Sequence, residues 1–92
     1  MMSIEEIRKR IDELDTSILE SLAKRFSLLD DLTEYKLKNN LPIRLLDREQ
    51  ALIKEKIGKA RNLGLNNDKF IADMFQSIID ESSRIQEEKR KQ

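Results

Sequence analysis

The chain is 92 residues long and reads as one small domain spanning 1–92; apolar residues make up 38% of it and charged residues 39%, with two Gly and one Pro. A balance so rich in Glu, Lys, Leu and Ile favours an all-α protein over sheet or disorder. Cysteine and histidine are both absent, which excludes a Ser-His-Asp triad, a thiol nucleophile and a Cys/His zinc site.

The 18 basic residues are matched by 18 acidic ones. With no basic tail, nucleic acid is not an expected partner, and any bound anion must be held by locally placed cations. No apolar run approaches the ~18 residues of a membrane span, and the first helix is not preceded by a signal-peptide pattern, so the expected location is the cytoplasm. No metal and no cofactor are expected.

Ser3 opens the first helix, with Glu6 three residues on as in a capping box. Its apolar positions, Ile4, Ile7, Ile11, Leu14, Ile18, Leu22, Leu29 and Leu32, recur three and four apart. Nothing breaks the pattern before Asn39-Asn40-Leu41-Pro42. The spacing predicts a helix of about 35 residues, roughly 50 Å long. Two shorter helices cannot cover such a rod, and a second chain is the natural way to bury the remainder.

Asp47-Arg48-Glu49-Gln50 predicts the start of the second helix, with Asp47 as its cap. Its inner face reads Glu49, Leu52, Ile53, Lys56, Ile57 and Ala60, and it ends at Asn62-Leu63-Gly64, where Gly suits a left-handed cap. Asn66 or Asn67 starts the third helix, whose inner face is Ile71, Phe75, Ile78, Ser82 and Gln86. The last six residues, 87–92, are expected to fray.

Polar groups interrupt all three inner faces. Arg25 and Lys36 stand in the stripe of the first helix, Glu49 opens the second, and Ser82 and Gln86 close the third. One such residue would be a long side chain snorkelling to water from a stripe edge. Several converging on one interior suggest a ligand that satisfies them, because burying a charge without a partner is costly. Arg25 and Lys36 are about three turns apart, so they face nearly the same way with Cα atoms roughly 16 Å apart. Ser82 and Gln86 share a face four residues apart. From spacing alone this is a pocket for a small polyanion carrying a hydroxyl, with no covalent machinery.

The segments that carry these groups resemble the all-helical (AroQ-type) chorismate mutases over nearly the whole chain. "IRKRIDELDTSILESLAKR" is similar to the opening helix of that family, with Arg8 and Arg25 at its two arginine positions, and Lys36 falls at its lysine. "PIRLLDRE" resembles its Asp-x-Asp-Arg-Glu segment and supplies Arg48 and Glu49; "FQSIIDESSRIQ" resembles its last helix and supplies Ser82 and Gln86. The second loop holds one extra residue, and Leu45 stands where the family commonly has Asp. The family uses the main-chain N–H at that position toward the substrate hydroxyl, and Leu45 retains it.

The resemblance implies an isomerase of aromatic amino-acid biosynthesis, rearranging chorismate to prephenate by a concerted shift with no covalent intermediate. It assigns Lys36 and Gln86 to the ether oxygen, Arg25 and Arg8 to the two carboxylates, Ser82 to a carboxylate and Glu49 to the ring hydroxyl. Arg48 carries over as a substrate-binding residue. It also implies an intertwined homodimeric helical bundle. Arg8 lies about 25 Å along the helix from Arg25, so it would serve the partner chain's pocket. Two other readings remain open: an isochorismate-pyruvate lyase of the same fold, and a non-catalytic helical dimerisation or ligand-sensing module whose cations form interhelical salt bridges.

Overall fold

The computed structural model describes residues 1–92. It contains four helical segments, α1 (Ile4–Ser27), α2 (Leu29–Lys38), α3 (Leu46–Asn62) and α4 (Asp68–Arg90), and no strand. α1 and α2 form a single rod of about 35 residues, as the unbroken apolar spacing predicts. They part only at Leu28, which keeps right-handed angles (φ −83°, ψ −10°). The hydroxyl of Ser27 donates to the Lys24 carbonyl at 2.6 Å, and Leu28 N–H turns to the Arg25 carbonyl at 3.3 Å. A serine side chain has taken an acceptor from the helix ladder and loosened one turn.

The ends of the helices follow local chemistry. Ser3 Oγ accepts from Glu6 N–H, and Asn67 Oδ1 from Phe70 N–H, so both expected caps form. α2 closes through Asn40 (φ 55°) and α3 through Gly64 (φ 85°). In each case the next residue donates back five positions, Leu41 to Lys36 and Leu65 to Ala60, both at 2.8 Å. These are paired left-handed helix stops. Two expectations need correction. α3 begins at Leu46 with Leu45 at its cap and no side-chain bond, so Asp47 sits in the first turn, where it faces the positive helix end instead of capping it. Residues 87–90 do not fray: α4 runs to Arg90, with Arg90 paired to Glu87 and Lys89 3.7 Å from Glu34.

α4 is the organising element, packing on α3 along one side and on α2 along another. The expected inner face of α3 is the one that packs: Glu49, Leu52, Ile53, Lys56 and Ile57 are half-buried and Ala60 is buried. Thr33 is the most enclosed residue, its hydroxyl returned to the Leu29 carbonyl at 2.7 Å. The core is small, with only eight of 92 residues buried in an elongated shape of 57 × 26 × 15 Å. The deficit lies in α1, which contains no buried residue and exposes Ile4, Ile7, Ile11, Leu14 and Ile18. No helix is long and apolar enough to cross a membrane.

Candidate active site

Where α2, α4 and the start of α3 meet, a cleft of about 480 Å³ opens, within the range of small-molecule sites. Arg25, Lys36, Leu45, Arg48, Glu49, Ser82 and Gln86 all line it, between apolar walls that include Leu29, Leu52 and Ile79. Arg8 does not line it. That residue lies exposed on α1, in the part of the rod that no other helix of the chain covers.

Two of the cleft's cations, Arg25 and Lys36, are aimed by specific contacts. Arg25 Nη1 donates to Ser82 Oγ at 2.6 Å, while the Ser82 hydroxyl donates to the Ile78 carbonyl at 2.7 Å. Ser82 thus orients Arg25 and spends its own proton on its helix. Lys36 Nζ donates to the Ile43 carbonyl at 2.7 Å and to Gln86 Oε1 at 2.8 Å. The Gln86 amide nitrogen donates in turn to the Ser82 carbonyl at 3.1 Å. An ammonium has three donors and a primary amide two, so Lys36 and Gln86 each keep one N–H for a ligand. The Leu45 N–H has no protein acceptor either.

The electrostatics are unbalanced in the same direction. Nine ion pairs occur in the molecule, and none involves Arg25, Lys36 or Arg48. Burial lowers the affinity of Lys36 for its proton, an effect partly offset by Glu49. Arg25 is pushed the same way by burial and then by the like charge of Arg48. Both shifts are those of cations short of a counter-ion. Glu49, the acid of the cleft wall, is already engaged: Arg44 grips it with Nη2–Oε1 at 2.7 Å and Nε–Oε2 at 3.0 Å. That fork holds the Glu49 carboxyl below its usual range, against the effect of burial. Arg44 also reaches Asp80 Oδ1 at 2.9 Å. Periodicity could not find Arg44, which sits in the loop between α2 and α3; the only signal was a basic residue five positions before the inward acid. No cluster of His, Cys, Asp or Glu side chains is placed to hold a metal ion.

A cleft of this kind can bind a small dianion through its carboxylates and place two further donors, from Lys36 and Gln86, on one atom. The chorismate mutase type II family model matches residues 7–87. The chain is 42% identical over 77 residues to the bifunctional chorismate mutase/prephenate dehydratase of Buchnera aphidicola subsp. Schizaphis graminum, covering 82% of this chain and 19% of that protein. It is 36% identical over 78 residues to the bifunctional chorismate mutase/prephenate dehydratase of Escherichia coli K12 (83% and 19%), and 33% identical over 76 residues to the T-protein of Enterobacter agglomerans (83% and 20%). The chain therefore spans about a fifth of the length of these relatives. No solved structure matches significantly. With the match running through both arms of the rod and all the helices that frame the cleft, the chain belongs to the type II chorismate mutase family.

Proposed function

We propose that this chain rearranges chorismate to prephenate within the cleft described above, in aromatic amino-acid biosynthesis and in the cytoplasm. The observation that carries the reading is the absence of a carboxylate partner for Arg25, Lys36 and Arg48, three cations converging on one cleft. A dianionic substrate supplies the missing charge. The same observation weighs against a non-catalytic module held by interhelical salt bridges, in which these cations would be paired.

In the rearrangement the breaking C–O bond leaves negative charge on the ether oxygen, and no proton is transferred. The remaining N–H groups of Lys36 and Gln86 are the donors that oppose this charge, fixed before the reaction by their bonds to Ile43 and Ser82. Arg25, aimed by Ser82, takes one carboxylate with its fork. Glu49 and the Leu45 N–H receive the ring hydroxyl, one as acceptor and one as donor, and Arg48 closes the anion site. An acceleration of about 10⁶ requires roughly 8 kcal/mol, within reach of charge placement combined with a compact bound conformer.

The second carboxylate is assigned to Arg8 of another copy of the chain, in an intertwined homodimer. The exposed apolar side of α1 supports this reading, since a face carrying Ile7, Ile11, Leu14 and Ile18 calls for a partner helix. The direct test is loss of the ultraviolet absorbance of chorismate on adding purified protein, with prephenate recovered. A folded dimer that leaves chorismate unchanged overturns the proposal.

A further inference from the structure

Glu49 and Lys36 are opposite charges on the wall of one cleft, yet no ion pair joins them. The attraction is present, since each shifts the proton affinity of the other toward its charged form. In a partly buried site, two such groups pair unless something holds them apart. Two adjacent loop residues do so. The Ile43 carbonyl takes the Lys36 ammonium at 2.7 Å, and the Arg44 guanidinium takes both oxygens of Glu49.

We propose that Arg44 is a positioning residue that keeps Glu49 off Lys36, so that the Lys36 charge stays available to the reacting oxygen. The inference rests on the chorismate mutase reading of the cleft. Arg44 itself does not line the cleft and is substantially exposed, whereas the Glu49 side chain is only 13% exposed. Its fork is anchored from outside. Nη2 also meets Asp80 on α4 at 2.9 Å, and Asp80 Oδ1 accepts from Gln76 at 3.0 Å. The result is a continuous chain from α4 through the loop to the first turn of α3. Two parallel N–H bonds fix the plane of a carboxylate, which a lysine in the same place could not do. Each Glu49 oxygen keeps a lone pair for the substrate hydroxyl. Exposed pairs such as Arg44–Asp80 contribute little to stability, so the arrangement acts on where a charge sits more than on whether the chain folds.

The consequence is a distinctive interaction between two substitutions. In Arg44→Ala the freed carboxylate swings to Lys36 and quenches it, and kcat falls at least about tenfold, a larger effect than the rise in KM. Adding Glu49→Gln then removes the quenching charge, so the double variant has a kcat equal to or above that of Arg44→Ala alone. Two independent structural losses would multiply instead. Arg44→Lys recovers part of the activity. If Arg44→Ala misfolds by circular dichroism, the same comparison is made on Arg44→Lys, with the same sign expected. A readout free of turnover accompanies it: the side-chain titration of Lys36, followed by carbon NMR without substrate. The groups facing this pair are Arg44 from the loop, Asp80 from α4, and Lys36 and Glu49 themselves. Loss of Arg44 moves the Lys36 pKa upward as Glu49 joins it, and Glu49→Gln cancels the move. A wild-type protein inactive on chorismate sinks the assigned reaction, while the Lys36 titration still decides the charge separation. An unmoved titration, or multiplicative losses in an active enzyme, overturns the role of Arg44.

Discussion

The two ends of the Ile4–Lys38 rod share one apolar rhythm and meet opposite fates. From Ile4 to Ser21 every residue is exposed, Ile11, Leu14 and Ile18 included. From Leu22 onward the rod dips inward, with Leu29 of the stripe and its neighbour Thr33 buried. The difference lies in what the rest of the chain can reach. α4 has 23 residues and α3 has 17, which is roughly 35 Å and 25 Å of helix against a rod of about 50 Å. Their cover is concentrated on the C-terminal half. Periodicity therefore tells which face of a helix is to be covered and is silent on whose side chains cover it. The cations that the family resemblance singles out sort the same way: Arg25 and Lys36 fall in the covered half and line a cleft, while Arg8 falls in the bare half, exposed and outside the cleft.

The largest expected effect lies at the covered end. Lys36→Ala should lower kcat by at least the roughly 10²–10³ typical of a single lost oxyanion donor. The helices should persist, because Lys36 contributes two hydrogen bonds at the end of α2 and no ion pair. Turnover within threefold of wild type at unchanged helicity would take Lys36 out of the mechanism.

The bare end is tested by making the two halves depend on each other. If each pocket takes Lys36 from one chain and Arg8 from the other, Arg8→Ala and Lys36→Ala are both nearly inactive alone. Refolded together in equal amounts, they form about half heterodimers under two-fold assembly. One pocket of each heterodimer then combines intact Lys36 with intact Arg8, so activity should recover to roughly a quarter of wild type. Verified heterodimers that stay inactive would place Arg8 in its own chain and end the intertwined reading.

A subtler probe of the covered end is Gln86→Glu. Gln86 Oε1 already accepts from Lys36 at 2.8 Å, so the introduced carboxylate would be held ionised by that ammonium and would oppose the charge developing on the ether oxygen. Only its protonated form retains a donor. The activity of this variant should rise as pH falls, with the gain beginning below the usual carboxylic range because the Lys36 contact lowers the pKa. A flat or alkaline-favouring profile contradicts the placement of Gln86 at the ether oxygen.

What could be read from the sequence, and what could not, divides along physical lines. Helix faces and two starts were legible because they rest on local chemistry: Ser3 and Asn67 cap through their own side chains, and Gly64 takes the left-handed turn that glycine permits. The convergence of Arg25, Lys36, Glu49, Ser82 and Gln86 on one cleft followed from polar residues in apolar stripes, a signal that needs only helical geometry. Arg44 was invisible because a loop has no period. Thr33 was passed over because a hydroxyl satisfied by the carbonyl four residues back is as buriable as an apolar group, and composition does not reveal that bond. The start of α3 was misplaced for a related reason. Asp47 and Gln50 have the spacing of a capping pair, but the helix begins earlier, at a leucine that cannot cap.

That misplacement yields the smallest predicted effect. Leu45 stands at the cap of α3 with half-exposed surface and no hydrogen bond from its side chain, so the free N–H groups of the first turn have no side-chain acceptor there. An aspartate at a cap position accepts one of those N–H groups, and such caps contribute about 1 kcal/mol relative to residues that cannot. Leu45→Asp should therefore raise stability toward denaturant by about 1 kcal/mol above the pKa of the new carboxylate. The sign with pH follows from its bonding: the folded state lowers that pKa, so the gain is complete above the unfolded value and disappears as pH falls through the folded one. The main-chain N–H of residue 45 is unchanged, so turnover should fall no more than a few-fold, and less than in any cleft variant above. If Leu45→Asp instead loses stability, the side chain of Leu45 supports the cleft wall by packing, and the contrast sharpens. The covered end of the molecule would then depend on apolar contact even at a helix start that has no side-chain cap.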